Sequence, residues 1–128
     1  HPSLIQPILE KTRDSYNVDA ISQAVGLASI RDQDYAQQTW AAVRKDREVL
    51  AGGLHALGFS VAASQTNFLL AKAPQDAGAE SLYQGLKASG ILVRYFATPR
   101  LRDSLRITVG TPEQNAQLLE QLQILLKH

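Results

Sequence analysis

The first part of the chain carries a helical period, and the rest mixes periods. Ile5, Ile8, Leu9 and Thr12 fall on one side of a helix predicted over Ser3 to about Asp14. Pro7 is tolerated there because it lies near the helix start. Ser15-Tyr16-Asn17 reads as a loop. Val18 to Ile30 carries Ile21, Ala24, Val25 and Ala28 at helical spacing, with Gly26 costing propensity while permitting close packing. Asp32 is placed to cap the longest helix, in which Trp40, Val43, Arg47, Leu50, Leu54 and Leu57 recur at spacings of three and four. Arg47 alone interrupts that apolar stripe. Trp40 reads as core or interface packing, and Gly58 as the residue that closes the helix.

From Phe59 the period changes. Phe59 and Val61 begin a short strand, and Ser64-Gln65-Thr66 is a polar turn before a buried strand over Asn67–Ala71. Glu80 to Ser89 is a helix with Leu82 and Leu86 facing in, closed by Gly90. Ile91 to Tyr95 is a strand, Ala97 to Asp103 a loop, and Leu105 to Val109 a second strand. In that last strand Leu105, Ile107 and Val109 alternate with Arg106 and Thr108. Gly110 ends it, and Thr111, Pro112 and Gln114 specify a capped helix start. The final helix runs from Pro112 to Lys127, with Leu118, Leu122, Leu125 and Leu126 inward. Two short strands joined by a loop pair most simply as an antiparallel hairpin with helices on one face, so the expected class is α+β.

Composition narrows the function. The 128 residues suit one domain. Thirteen basic and twelve acidic side chains leave a net charge of +1, against a general nucleic-acid or membrane-surface binder. No cysteine means no disulfide framework or thiolate chemistry. No apolar run approaches the roughly 20 residues of a membrane span. The three histidines are His1, His55 and His128, two of them terminal, which gives no catalytic or zinc cluster. Glycosidase-type carboxylate pairs and glycine-rich phosphate loops are also missing. The chain has no methionine and begins at His1, so a piece of a longer polypeptide is expected.

Two arginines remain. Arg94 and Arg106 occupy the polar phase of neighbouring strands, where a hairpin brings them near each other. Two close guanidiniums repel unless an anion or carboxylate lies between them, and each suits bidentate binding of carboxylate or phosphate. The alternative is that each is salt-bridged on a solvated face, to Asp103 or Glu113 for example.

The run Gly90-Ile91-Leu92-Val93-Arg94, followed after a loop by Leu105 to Asn115, resembles the C-terminal end of the histidinol-phosphate aminotransferases. These belong to the fold-type I pyridoxal-phosphate-dependent transaminases. Ser15-Tyr16-Asn17-Val18 with Ile21-Ser22-Gln23-Ala24 is similar to the segment entering that family's long interdomain helix. Ser64 to Leu70 is similar to its first small-domain strand. The resemblance implies a helical lead-in and interdomain helix over 1–58 and an α+β small domain over 59–128, its small antiparallel sheet covered by helices on one face.

It also implies roles. Arg106 would grip the carboxylate of glutamate and help bind the phosphate of histidinol phosphate in the other half-reaction. Arg94 would be a second phosphate-binding arginine, and Asn17 a residue lining the site, although an Asn there also suits an Asx turn. The intact enzyme would use pyridoxal 5'-phosphate in histidine biosynthesis and act as a homodimer in the cytoplasm. Its partners would be small-molecule substrates, with no nucleic acid or membrane. The family's Schiff-base lysine lies in a Ser/Thr-Lys context that Lys11, Lys45, Lys72, Lys87 and Lys127 all lack. The chain by itself is therefore expected to be inactive, with no catalytic, cofactor-binding or metal-binding residue of its own. Alternatives are another class I/II aminotransferase, a broad-specificity aromatic aminotransferase, a phosphothreonine decarboxylase, and a free-standing non-catalytic anion-binding module.

Overall fold

The computed structural model describes residues 1–11 and 18–127. Its contacts fall into two units, His1–Gln37 and Gln38–His128.

The first unit holds α1 (Pro2–Lys11), α2 (Ala20–Arg31) and the first turn of α3 (Gln33–Ala56). Asp19 caps α2, its carboxylate accepting the Ser22 N–H at 2.9 Å and the Ser22 hydroxyl at 2.6 Å. Asp32 starts α3 as its position predicts, accepting the Tyr35 N–H at 3.2 Å. Capping fixes where these helices begin, yet α2 buries no residue. Leu4, Ile5, Ile8 and Leu9 of α1 are at least half exposed. Among the described residues nothing lies within 4 Å of where a Cβ at Gly26 would stand, so the close packing that this glycine permits is not used by them. Thr12, the fourth residue of the predicted α1 stripe, and the loop 15–17 lie outside the described residues.

The second unit contains the core. After α3 come β1 (Ser60–Val61), β2 (Phe68–Lys72), α4 (Ala79–Ala88), β3 (Arg94–Tyr95), β4 (Ser104–Thr108) and α5 (Pro112–Leu125). The four strands form one antiparallel sheet in the order β1-β2-β4-β3. This is the α+β arrangement expected, with the predicted β3–β4 hairpin at one side. Leu69 and Ala71 of β2 and Leu105 and Ile107 of β4 point to one face. There they meet Leu50 and Leu54 of α3, Leu82 and Leu86 of α4, and Leu118 and Leu122 of α5. Burial of these aliphatic side chains is the main favourable contribution to the unit.

Two helices end alike. Gly58 (φ 85°) and Gly90 (φ 78°) adopt the left-handed conformation that a Cβ disfavours. At α3, Phe59 N–H bonds Leu54 C=O at 3.0 Å and Gly58 N–H bonds His55 C=O at 3.0 Å. At α4, Ile91 N–H bonds Leu86 C=O at 2.9 Å and Gly90 N–H bonds Lys87 C=O at 3.1 Å. Both pairs are Schellman closures.

The strand expected over Ile91–Tyr95 is shorter than its pattern. Only Arg94 and Tyr95 join the ladder. Ile91 N–H is already engaged at the helix end, and a cavity of about 290 Å³ opens between 90–93 and the end of β4. Leu92 is accordingly 80% exposed.

Candidate functional site: a cross-strand arginine pair

The face of the sheet away from the core is set by the period of two. Phe68 and Leu70 of β2 and Arg106 and Thr108 of β4 alternate with the buried positions. In the β2–β4 register Leu70 stands opposite Arg106 and Phe68 opposite Thr108. In the β3–β4 register Arg94 stands directly opposite Arg106. The sequence puts both arginines in the polar phase, and the fold makes them immediate partners. Both are exposed. Like charges directly opposite across a strand pair are destabilising, so this arrangement asks for something that neutralises it.

The carboxylates named as possible partners are engaged elsewhere. Asp103 pairs with Lys72 at 2.8 Å, the one ion pair among the described residues, and accepts the Ser104 hydroxyl at 3.0 Å. The hydrogen bond from Lys72, and then that from Ser104, hold the Asp103 carboxyl below the usual carboxylate range. The register explains the choice: Lys72 faces Ser104, beside Asp103. Glu113 stands in the first turn of α5, where its own backbone N–H and the Thr111 hydroxyl hold its carboxyl down. Neither acid comes within ion-pair distance of either arginine.

Aromatic rings accompany the guanidiniums instead. Arg106 Cζ lies 5.2 Å from the centroid of Phe68, and Arg94 Cζ lies 5.2 Å from that of Phe96. A ring face attracts a cation without neutralising it. Among the described residues neither guanidinium is held by a hydrogen bond or an ion pair, so its donors remain for a bidentate acceptor. Sequence reasoning missed both rings. The signal for Phe68 was available: it sits in the outward phase of β2 with Leu70, opposite the phase of Leu69 and Ala71 and on the same side of the sheet as Arg106.

The turn into α5 anchors β4 at its far end. Gly110 N–H donates to Asn115 Oδ1 at 2.9 Å, and Asn115 Nδ2 donates to Gly110 C=O at 3.1 Å. Thr111 and Gln114 complete the predicted capping box. A Cβ at Gly110 would come within 2.7 Å of Gln114 Oε1, so the close approach requires glycine. Asn115 is buried, and its amide bonds both the N–H and the C=O of Gly110, fixing the turn.

Arg47 is a second residue whose position the helical stripe did not explain. It is 9% exposed and donates from Nη1 to Thr66 C=O at 2.9 Å, joining α3 to the turn before β2. Trp40 is 52% exposed and lines a shallow cavity with Val43, Arg44 and Arg47. Asn17 lies outside the described residues. Among the described residues no group of three or more His, Cys, Asp or Glu is placed to hold a metal, and no helix is long and apolar enough to cross a membrane.

The described lysine side chains are exposed: Lys72, which is engaged by Asp103, and Lys45, Lys87 and Lys127. All four ammonium groups stand in solvent rather than in the desolvated pocket that a Schiff-base lysine needs.

Known proteins agree with this architecture. The chain is 50% identical over 127 residues to histidinol-phosphate aminotransferase 1 of Nostoc sp., an alignment covering 99% of this chain and 35% of that protein. It is 46% identical over 127 residues to histidinol-phosphate aminotransferase 1 of Trichormus variabilis, covering 99% and 36%. The fold matches the crystal structure of histidinol-phosphate aminotransferase from Sinorhizobium meliloti in complex with pyridoxal-5'-phosphate. There the TM-score is 0.81 and the identity 22%, over 94% of this chain and 33% of that one. The chain thus spans about a third of the length of these relatives. The model of the family described as aminotransferase class I and II matches residues 5–122, and the chain belongs to that family.

Proposed function

We propose that the polypeptide carrying this segment is a histidinol-phosphate aminotransferase, and that Arg94 and Arg106 form its clamp for substrate anions. It would exchange an amino group between histidinol phosphate and 2-oxoglutarate in the cytoplasm. The observation that carries the reading is the direct cross-strand opposition of two exposed arginines, with no carboxylate from the described residues between them. The 50% identity to a histidinol-phosphate aminotransferase supports the choice of substrate.

Arg106 occupies the inner strand and Arg94 the edge. A guanidinium fork accepts a carboxylate and a phosphate with the same geometry, so Arg106 serves both half-reactions. Glutamate would place a carboxylate there, and histidinol phosphate its phosphate. Arg94 adds the second positive charge that a dianionic phosphate needs. Asn17 is proposed as a further residue lining the site. Residues 59–128 act as the small domain that presents the clamp, and 1–58 as the helical lead-in and interdomain helix.

Pyridoxal 5'-phosphate supplies the electron sink for amino transfer in this chemistry. No lysine of this chain stands in the family's Ser/Thr-Lys context, so the residues that hold it are assigned to the remainder of the polypeptide. The contribution of this segment is to bind and orient the substrate anion. The segment alone is expected to be inactive, and the full enzyme is proposed to be a homodimer.

The test is Arg106→Ala in the full-length enzyme. Loss of a charge-assisted contact to the anion should lower kcat/KM with both glutamate and histidinol phosphate by roughly tenfold to a hundredfold. Arg106→Lys should fail to restore it, because an ammonium lacks the planar fork. Unchanged turnover with glutamate would overturn the role of Arg106. Assays with aromatic amino acids and phosphothreonine identify the activity if histidinol phosphate is not turned over.

A further inference from the structure

We infer that Phe68 is a positioning residue for anion binding, its ring fixing the guanidinium of Arg106 before substrate arrives. The inference rests on the reading of Arg106 as a contact to the substrate anion, and goes beyond it to the group that sets the arginine's geometry.

Phe68 shares the outward, half-buried face of β2 with Leu70 and is the aromatic residue on it. It holds an aromatic ring on the outward face, away from the core that takes Leu69 and Ala71. Its direct partner is Thr108, so Arg106 lies on the diagonal, two residues along β4. That diagonal lies within reach of an aromatic and a long side chain. Arg106 uses it, with Cζ 5.2 Å from the ring centroid. An arginine on an open sheet face otherwise has many rotamers, and ordering them on binding weakens affinity. A guanidinium already resting on a ring avoids part of that loss. The guanidinium carbon lies over the ring, and among the described residues no hydrogen bond or ion pair occupies its N–H donors, which a bidentate anion can then take up.

A platform is useful only if it is itself fixed. The Ser64 hydroxyl donates to Phe68 C=O at 2.7 Å, and the Thr66 hydroxyl donates to the same carbonyl at 3.1 Å. Phe68 N–H donates to Thr66 Oγ1 at 3.3 Å. Val109 N–H donates to Asn67 C=O at 2.8 Å. Arg47, nine-tenths buried on α3, holds Thr66 C=O at 2.9 Å. These bonds tie the start of β2 to α3 on one side and to β4 on the other. The ring under Arg94 is held differently. Phe96 lies two residues beyond Arg94, just past the end of β3, so that ring and that arginine come from one local segment.

The experiment uses the full-length enzyme with three changes at Phe68. Phe68→Leu removes the ring and should raise KM for glutamate and the Kd for inorganic phosphate about twofold to thirtyfold, the range of a cation–π contact. kcat should stay within about twofold. Phe68→Tyr keeps a ring face and should retain both constants. Replacement by pentafluorophenylalanine keeps the shape of the ring while depleting the electron density of its face. It should raise KM and Kd nearly as far as leucine does, even if Phe68→Leu folds poorly. Unchanged constants with the fluorinated ring, or equal losses for leucine and tyrosine, would overturn the inference. Arg106→Ala separates the two layers. If it raises KM and Kd while the fluorinated ring does not, the anion site stands and the platform fails. If Arg106→Ala leaves both constants unchanged, the anion site fails and the platform with it.

Discussion

Helices α2 and α5 are built from similar parts. Ala20–Arg31 starts behind Asp19, whose carboxylate accepts the Ser22 N–H, and Pro112–Leu125 starts behind Thr111 and its capping box. Both carry branched apolar residues at helical spacing. Yet α5 buries Asn115, Leu118 and Leu122 against the sheet, while Ile21, Val25, Leu27 and Ile30 of α2 are all at least half exposed. Caps and period decide that a helix forms and where it begins. They do not decide what its apolar side rests on. For α5 that surface is β4 and α4, elements within reach in the same chain. For α2 no such surface exists among the described residues, and its relatives are about three times as long as this chain.

The largest test of this contrast is truncation of one side chain in each helix. Leu122→Ala should destabilise the second unit by about 2–5 kcal/mol through lost burial and a cavity. Ile21→Ala should change the stability of this 128-residue polypeptide by less than about 0.5 kcal/mol. Urea midpoints measure both, and equal losses would break the comparison. Next come the caps. Thr111→Ala should cost about 1 kcal/mol, because α5 is coupled to the core. Asp19→Ala should only fray the start of α2, visible as lost helical circular dichroism with little change in the urea midpoint.

A smaller effect runs in the stabilising direction. Gly26→Ala meets open space and should favour the helical form of α2 by about 0.5–1 kcal/mol. A rise in helical signal without a shift in the unfolding midpoint of the second unit would sharpen the distinction. The smallest effect is that of acid. Asp19, Asp103 and Glu113 all have carboxyl pKa values lowered by hydrogen bonds, and all are exposed. A group with a depressed folded-state pKa stabilises the fold above its unfolded value, and that contribution is lost as pH falls through the folded value. Acidification below the ordinary carboxylate range should therefore loosen the start of α2 and the start of α5 together. Chemical shifts of the Ser22 and Gln114 amides report it, and loosening of one without the other would separate the two caps.

Much of the second unit was legible because its signals are local. Gly58, Gly90, Thr111 and Gln114 each specify a backbone turn within a few residues, and each is used as its position suggests. The alternation Leu105-Arg106-Ile107-Thr108 fixes which side of β4 is buried. The shortening of β3 was not legible, because it depends on an N–H taken by the preceding helix and on a gap to α5. Nor was the choice of partner by Asp103, which follows from a register between strands more than thirty positions apart. Arg106 stands out in the sequence through its strand phase together with the family resemblance, whereas its support by Phe68 needs the diagonal of a sheet. Arg47 looked like a flaw in an apolar stripe, since the carbonyl it serves lies nineteen residues further on.

Strand β3 is joined to the sheet by two residue pairs, Arg94 with Arg106 and Tyr95 with Leu105. Half of that seam sets like charges side by side. The edge of the sheet is thus closed less firmly when the arginines are bare than when something anionic bridges them. Ions that only screen should tighten it weakly, and ions that bridge should tighten it more at the same ionic strength. Amide exchange at Arg94, whose N–H faces Arg106 across the seam, should therefore be slower in phosphate than in chloride of matched ionic strength. The seam would act as a built-in gauge of what the clamp is holding.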